Sequence, residues 1–202
     1  MTIDRDDSAW IHPTTVFDGG AAVGFCSRVG HGASADEPVR IGDGVRIGAF
    51  CLIEAGTQLG AGVEVDHYCR IACGVRVGSN TRILYRAQVF DDVTIGKNCI
   101  IAGELVDRTI VGDNVTFQGN TAHSHTDATG DWDETEEPFS VIRSGSVVGV
   151  DAVLIGGITI GPRAYVAAGE RVTCDVPEGM VLQGGKLQPL TYFRGMIKVR
   201  DV

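Results

Sequence analysis

The sequence predicts an all-β fold, a column of short parallel strands wound into a triangular β-helix of seven to eight coils. Three observations predict it. A large apolar residue recurs at every sixth position from Ile11 to Ile101. Glycine often comes next, as at Gly24, Gly42, Gly48 and Gly60. A small or β-branched residue stands two places before the apolar one, as at Thr15, Ser27, Val39 and Cys51. Fifteen of the sixteen frame positions are large and apolar, and Ala35 is the exception; at 44% hydrophobic residues chance does not do this. A sandwich of short strands would alternate with period two and not hold a period of six.

Residues 1–10 form an N-terminal extension ahead of the repeat, and residues 11–177 form the helix. The period of six has a physical reading. A short strand turns a corner, and three such strands close one coil of about eighteen residues. The large residue points into the prism, glycine helps the chain through the corner, and stacked coils pair one another's backbone groups. The frame slips first at Gly103–Thr109, with four extra residues between Ile101 and Val111, and continues through Phe117. It slips again over a loop at about 124–142 and returns at Val148, Leu154, Ile160, Val166 and Val172. Residues 178–202 are a C-terminal tail.

Composition agrees. Glycine is 28 of 202 residues and aromatics only 6%, which suits many corners around a narrow core. A net charge of −9 argues against nucleic-acid binding, which needs a basic surface. No run reaches the ~18 apolar residues of a membrane span, and the start has no signal-peptide pattern. A cytoplasmic protein is expected. Of six cysteines, Cys51, Cys69 and Cys99 fall on the small-residue position of the repeat and need no chemistry to justify them.

The segment from Val148-Gly-Val-Asp to Ala168-Gly169, followed by Val172-Thr-Cys-Asp-Val-Pro-Glu-Gly-Met180, resembles the closing coils of hexapeptide-repeat acyltransferases. The sugar N-acetyltransferase and xenobiotic acetyltransferase types are the nearest. The resemblance covers roughly residues 11 to 186. It implies a left-handed coil, against the usual right-handed crossover rule, and a homotrimer. It also implies acetyl-CoA or another acyl-CoA lying in the groove between neighbouring prisms as co-substrate. No metal is expected.

Chemistry is expected where the repeat breaks. His123 falls on a frame position that should be apolar and stands at the exit into the second loop. Acyl transfer from a thioester needs a base to take the proton of an amine or hydroxyl, and histidine titrates in the right range. His123 is therefore the first candidate base and His125 the second, with Asn120 as an orienting or acceptor-binding residue. His67 lies two residues after a frame position, as His125 does, which would put both on one edge. His12 and His31 are expected at the surface or an interface. The loop carries Asp127, Asp131, Asp133, Glu134, Glu136 and Glu137 without a lysine or arginine, which suits a cationic acceptor or simply a solvated loop. Trp132 within it would stack on a sugar or anchor the loop.

For the co-substrate, Gly156, Gly157, Ala167 and Ala168 are small enough to let a pantetheine arm approach backbone amides. Lys186 is placed to meet a phosphate, although Gly184-Gly-Lys-Leu-Gln-Pro189 departs from the Gly-Asn-Pro-Ala-Lys-like segment of many relatives. Two other functions compete. A γ-class carbonic anhydrase would want a His-x₄-His pair for zinc, and this chain offers His123-x-His125. A non-catalytic scaffold would not explain the polar, histidine-bearing loop. The expected activity is transfer of an acyl group to an amine or hydroxyl of a small polar acceptor such as an amino sugar.

Overall fold

The computed structural model describes residues 2–124 and 138–192. Its strands form three sheets. The first has eleven strands from Ile3–Arg5 to Lys186–Pro189; the second has nine, from Trp10–Ile11 to Arg171–Val172; the third has eight, from Val16–Phe17 to Thr159–Ile160. Every pairing is parallel except the last, where Met180–Gln183 and Lys186–Pro189 make an antiparallel hairpin. Twenty-seven parallel strands, three to a coil, stack as nine coils, a prism roughly 40 Å tall at ~4.8 Å per coil. The count exceeds seven to eight because Ile3–Arg5, Glu104–Leu105, Asn120–Ala122, Val141–Ile142 and Met180–Gln183 also supply strands, while the position at Ala35 supplies none. Among the described residues no helix is long and apolar enough to cross a membrane.

The six-residue frame is the inward row. Ile41, Ile53, Ile71, Ile101 and Phe117 are fully buried, and each contributes about 1.5–3 kcal/mol by leaving water. The small residues two places earlier have a second function. Ser27, Thr57 and Thr81 donate their hydroxyls to the carbonyls of Gly48, Ala72 and Gly96 on the next coil. The thiols of Cys51, Cys69 and Cys99 donate to Asp66, Leu84 and Gly112 in the same way. The cysteines are thus part of a polar row that satisfies corner carbonyls.

Glycine after the frame mostly serves close stacking, with Gly30 at φ +84° a left-handed exception. A Cβ on Gly42 would come within 2.6 Å of the Ala61 amide nitrogen, and one on Gly60 within 2.8 Å of that of Ser79. The left-handed corner positions come two residues later and are often Asn or Asp, as at Asn80, Asp92 and Asn98.

The frame breaks where a count of six misses it. Ala35 is exposed and lies in no strand. Phe17 pairs with Ile41 across twenty-four residues, not eighteen, so residues near Ala35 are a loop whose length happens to equal one hexad. The apparent four-residue insertion after Ile101 is instead a shortened corner. Leu105, four residues on, fills the core position of the second sheet. The same shortening follows Phe117, where Thr121 pairs in register with Leu154 and is buried.

Candidate functional site

The prism has three edges. The first joins the first and second sheets, the second joins the second and third, and the third closes the coil. Thr121, not His123, holds the inward position of the seventh coil. His123 comes two residues later, at the end of Asn120–Ala122, where the chain turns over the second edge. It is partly buried. His123 thus lies off the inward row, although a count of six places it there. The shortened corner moved the frame by two, and His123 is an edge residue.

The next coil is shaped around this exit. Gly156 donates its N–H to the Ala122 carbonyl at 2.9 Å, and a Cβ on Gly156 would stand 3.1 Å from Ser124 Cβ. A Cβ on Gly157 would come within 2.6 Å of Pro138 Cβ. Ser140 closes the return by donating its hydroxyl to the Gly156 carbonyl at 2.8 Å. Arg108, one coil below, lays its guanidinium 5.7 Å from the Phe139 ring centre. Both ends of the second loop are thus fastened beside His123. His125, the acidic residues from Asp127 to Glu137, and Trp132 lie outside the described residues.

Asn120 stands on the outer face of the second sheet, and its side-chain oxygen accepts the Glu104 N–H at 3.1 Å. Two strand residues, Thr121 and Ala122, separate it from His123, a step of about 10 Å along the chain. It belongs to the wall leading to the histidine. Sequence reasoning passed over Asp107. The pairing of Glu104 with Asn120 puts Asp107 level with His123 one coil below. Below it on the same edge follow Asp91, Cys73 and Glu54. Asp107 accepts the Asp91 N–H at 3.0 Å, and Asp91 accepts that of Cys73 at 2.9 Å. The signal was the recurrence of Asp or Cys two places after the frame.

Glu54, Cys73 and Asp91 present ligand atoms within 4.8 Å of one another. Arg70 already meets Glu54 at 2.8 Å, so the trio carries its own cation. Burial, then the Glu54 carboxylate, pushes the Cys73 thiol up. A protonated thiol neither binds metal nor attacks a carbonyl well.

His67 stands on the first edge, not the second, so it does not share an edge with the exit at His123. Its Nδ1 accepts the Ala49 N–H at 2.8 Å. That bond places the proton of the neutral ring on Nε2, so His67 offers solvent a donor and no base. It lines a concavity of about 970 Å³ against the lower first sheet, with Asp66, Arg46, Glu64 and Arg82. This hollow is remote from His123 in both coil and edge.

The small residues chosen for the co-substrate separate into two groups. Gly156 and Gly157 lie beside His123. Ala167 and Ala168 lie at the top of the first edge, where a Cβ on Gly149 would meet the Ala168 amide nitrogen at 2.6 Å. Lys186 opens the second strand of the terminal hairpin, whose Gly184-Gly185 turn is left-handed at both residues. The Glu170 carboxylate accepts both turn N–H groups. An anion approaching Lys186 therefore meets a carboxylate at the same turn.

Known structures share the architecture. LpxA from Acinetobacter baumannii aligns over 96% of this chain and 78% of its own at a TM-score of 0.56 and 14% identity. UDP-N-acetylglucosamine acyltransferase from Campylobacter jejuni aligns over 96% and 79%, at 0.52 and 16%. The chain spans about half (53%) of the acetyltransferase domain of PglB from Neisseria gonorrhoeae, a match over 54% of its own length at 0.33 and 20%. No family model and no curated protein sequence matches the chain. The first two likenesses establish the fold: the protein is a hexapeptide-repeat, left-handed parallel β-helix.

Proposed function

We propose that the protein is a CoA-dependent acyltransferase, with acetyl-CoA as donor and an amine or hydroxyl of a small polar molecule as acceptor. An amino sugar is the preferred acceptor. The observation that carries the reading is the second-edge site, where a histidine stands as the chain leaves the prism beside two side-chain-free residues, Gly156 and Gly157. The fold is one on which an N-acetylglucosamine-nucleotide acyltransferase is built.

In this reading His123 takes the proton of the acceptor as its nitrogen or oxygen attacks the thioester carbonyl. A tetrahedral adduct forms. The carbon–sulfur bond then breaks, the acyl group stays on the acceptor, and the CoA sulfur leaves as thiol with the proton returned to it. Asn120 supplies a polar wall, and the acceptor's cationic group is drawn toward the acidic loop. Glycines at 156 and 157 let Ser124 and Pro138, the two ends of the loop, pack close against the coil beside His123. The groove is completed by a neighbouring copy in a homotrimer, because a flat prism face alone has little concavity.

Acetyl-CoA titrated by calorimetry, with thiol release followed over a panel of amines and alcohols, tests the activity. The expectation is saturable binding and thiol release with an amino sugar. Absence of both binding and thermal protection refutes it. His123→Ala should cut turnover by roughly 10²–10⁴-fold while leaving acetyl-CoA affinity nearly intact. Unchanged turnover removes the assignment of the base.

A further inference from the structure

On each of the three sheets two arginines stand two coils apart on the outer face, with a different residue between them. The first sheet carries Arg46, Glu64 and Arg82 in register. The second carries Arg28, Leu52 and Arg70, and the third carries Arg40, Gln58 and Arg76. On the first two sheets the arginines are engaged. Glu64 meets both of its neighbours, Arg46 through one carboxylate oxygen and Arg82 through the other at 3.4 Å. Arg70 pairs with Glu54 at 2.8 Å, and Arg28 lies 5.6 Å over the Trp10 ring. On the third sheet, among the described residues, no carboxylate pairs with Arg40 or Arg76 and no ring lies under them. Their ladder differs from that of the first sheet in the middle rung alone, where an amide stands in place of a carboxylate. Two cations are kept without a counter-ion between them.

This ladder lines a concavity of about 370 Å³, together with Asp18, Gly60 and Gly78. Asp18 is the one carboxylate among its described lining residues, so two arginines against one aspartate leave the lining positive, on a chain whose net charge is −9. Val16 below Arg40 and Thr94 above Arg76 are uncharged. The volume falls at the small end of ligand sites, which run from roughly 300 to 1,000 Å³.

The first-sheet ladder shows what two arginines at this spacing accept: a single anionic group with one oxygen for each. Gln58 adds an amide N–H between them, which asks for a third acceptor oxygen. A carboxylate has only two. A phosphate monoester has three terminal oxygens and carries up to two negative charges, and its oxygens match the guanidinium fork. We infer that Arg40, Gln58 and Arg76 form a binding site for the phosphoryl group of a small phosphorylated molecule other than the acyl donor. Gln58 lies in the third coil and His123 in the seventh, roughly 19 Å apart along the prism. A ligand held here is therefore an accessory one and not the group that reacts at the histidine. Nothing in this site depends on the proposed transfer chemistry.

Calorimetric titration of the native protein with inorganic phosphate at pH 8 is the test, with acetate at equal ionic strength as the two-oxygen comparison. The expectation is one phosphate per chain, bound at least tenfold more tightly than acetate. Gln58→Glu builds the first-sheet counter-ion into the third sheet and should abolish phosphate binding with unchanged circular dichroism. Arg76→Gln should weaken it by roughly tenfold or more. Phosphate bound no better than acetate, or bound as well by a folded Gln58→Glu variant as by the native chain, overturns the inference. Should the variants not fold, phenylglyoxal modification of the native protein decides. Phosphate that slows the reaction of Arg40 and Arg76 but not of the exposed Arg143 supports the site, and equal reaction with and without phosphate refutes it. Repeating the titration with acetyl-CoA in excess should leave phosphate binding unchanged, and displacement of phosphate would assign it to the donor and refute a separate ligand. A protein that binds phosphate in this way but no acetyl-CoA sinks the function alone. One that binds acetyl-CoA but no phosphate sinks this inference alone.

Discussion

Gly103→Ala isolates the tightest corner of the prism. Gly103 occupies the shortened turn between Ile101 and Leu105 at φ +83°. A methyl group there would overlap the Gly119 carbonyl, whose carbon is 3.0 Å away and whose oxygen is nearer, and would press on Asn120 Oδ1 at 3.0 Å. Left-handed backbone costs a residue with a Cβ about 1–2 kcal/mol. Forcing atoms into packed backbone adds about 1–3 kcal/mol. Together they come to roughly 2–5 kcal/mol. For a chain of this size each 1 kcal/mol moves Tm by about 2–4 °C, so the variant should melt roughly 4–20 °C lower. Gly44 is the control, since it has φ +69° and an added methyl there would meet nothing within 4 Å. Gly44→Ala should show the backbone cost alone, and Gly44→Asn less, because Asn80, Asn98 and Asn114 hold the same corner in other coils. Calorimetric melting of the three variants is the assay. If Gly103→Ala loses no more than Gly44→Ala, the reasoning from close coil contact is wrong.

Thr81→Val removes a buried hydroxyl that donates to the Gly96 carbonyl at 2.8 Å and accepts the Cys99 N–H at 3.0 Å. It should cost about 2–4 kcal/mol, read as a lower urea midpoint at constant m. His67→Ala should lose about 1 kcal/mol by uncovering the Ala49 N–H, and His67→Asp should restore it, since Asp91 caps Cys73 in the same manner. Turnover should be unaffected by His67→Asp, and its collapse would make His67 catalytic. Burial pushes the Cys99 thiol up, so the fold keeps that proton at pH values where the unfolded chain releases it. The associated stability is intact below the ordinary thiol range and is lost as pH climbs above about 8.5. Urea titrations at pH 8 and pH 10 should show a smaller alkaline loss for Cys99→Ser than for the native chain.

The fold was legible because one residue type per strand must face a core only one side chain deep. Fifteen of the sixteen frame residues are large and apolar, and the row of small or β-branched residues two places earlier is equally regular. What escaped the reading was anything that preserved the period by accident or altered it by two. The exposed loop at Ala35 is six residues long, so no test with period six detects it. Leu105 and Thr121 are core residues reached by four steps, and overlooking Thr121 put His123 on the frame. The reason assigned to glycine was also incomplete. Gly42 and Gly60 are small because the next coil's backbone leaves no room, which no single-strand pattern reveals. The loop exit at His123 was visible because it interrupts everything else, whereas its nearness to Gly156 and Gly157 comes only from coil stacking.

Separation of the small residues into two groups gives the last prediction. His123, Gly156 and Gly157 mark one margin of the second sheet, and Ala167 and Ala168 mark the other, near the top of the prism. If acyl-CoA crosses the outer face of that sheet, one chain supplies both the path and the base. A neighbouring copy then closes the groove. Ala168→Trp, which blocks the path, and His123→Ala, which removes the base, each inactivate the wall on which they occur. In oligomers mixed from the two variants, every wall still carries one lesion, so no activity should return. Were the path and the base contributed to each groove by different copies, some mixed grooves would receive neither lesion. The two variants are unfolded, mixed, refolded together, and assayed for thiol release with acetyl-CoA. Activity well above that of either variant alone would refute the one-wall arrangement, and its absence would place His123 and Ala168 on the same side of the same groove.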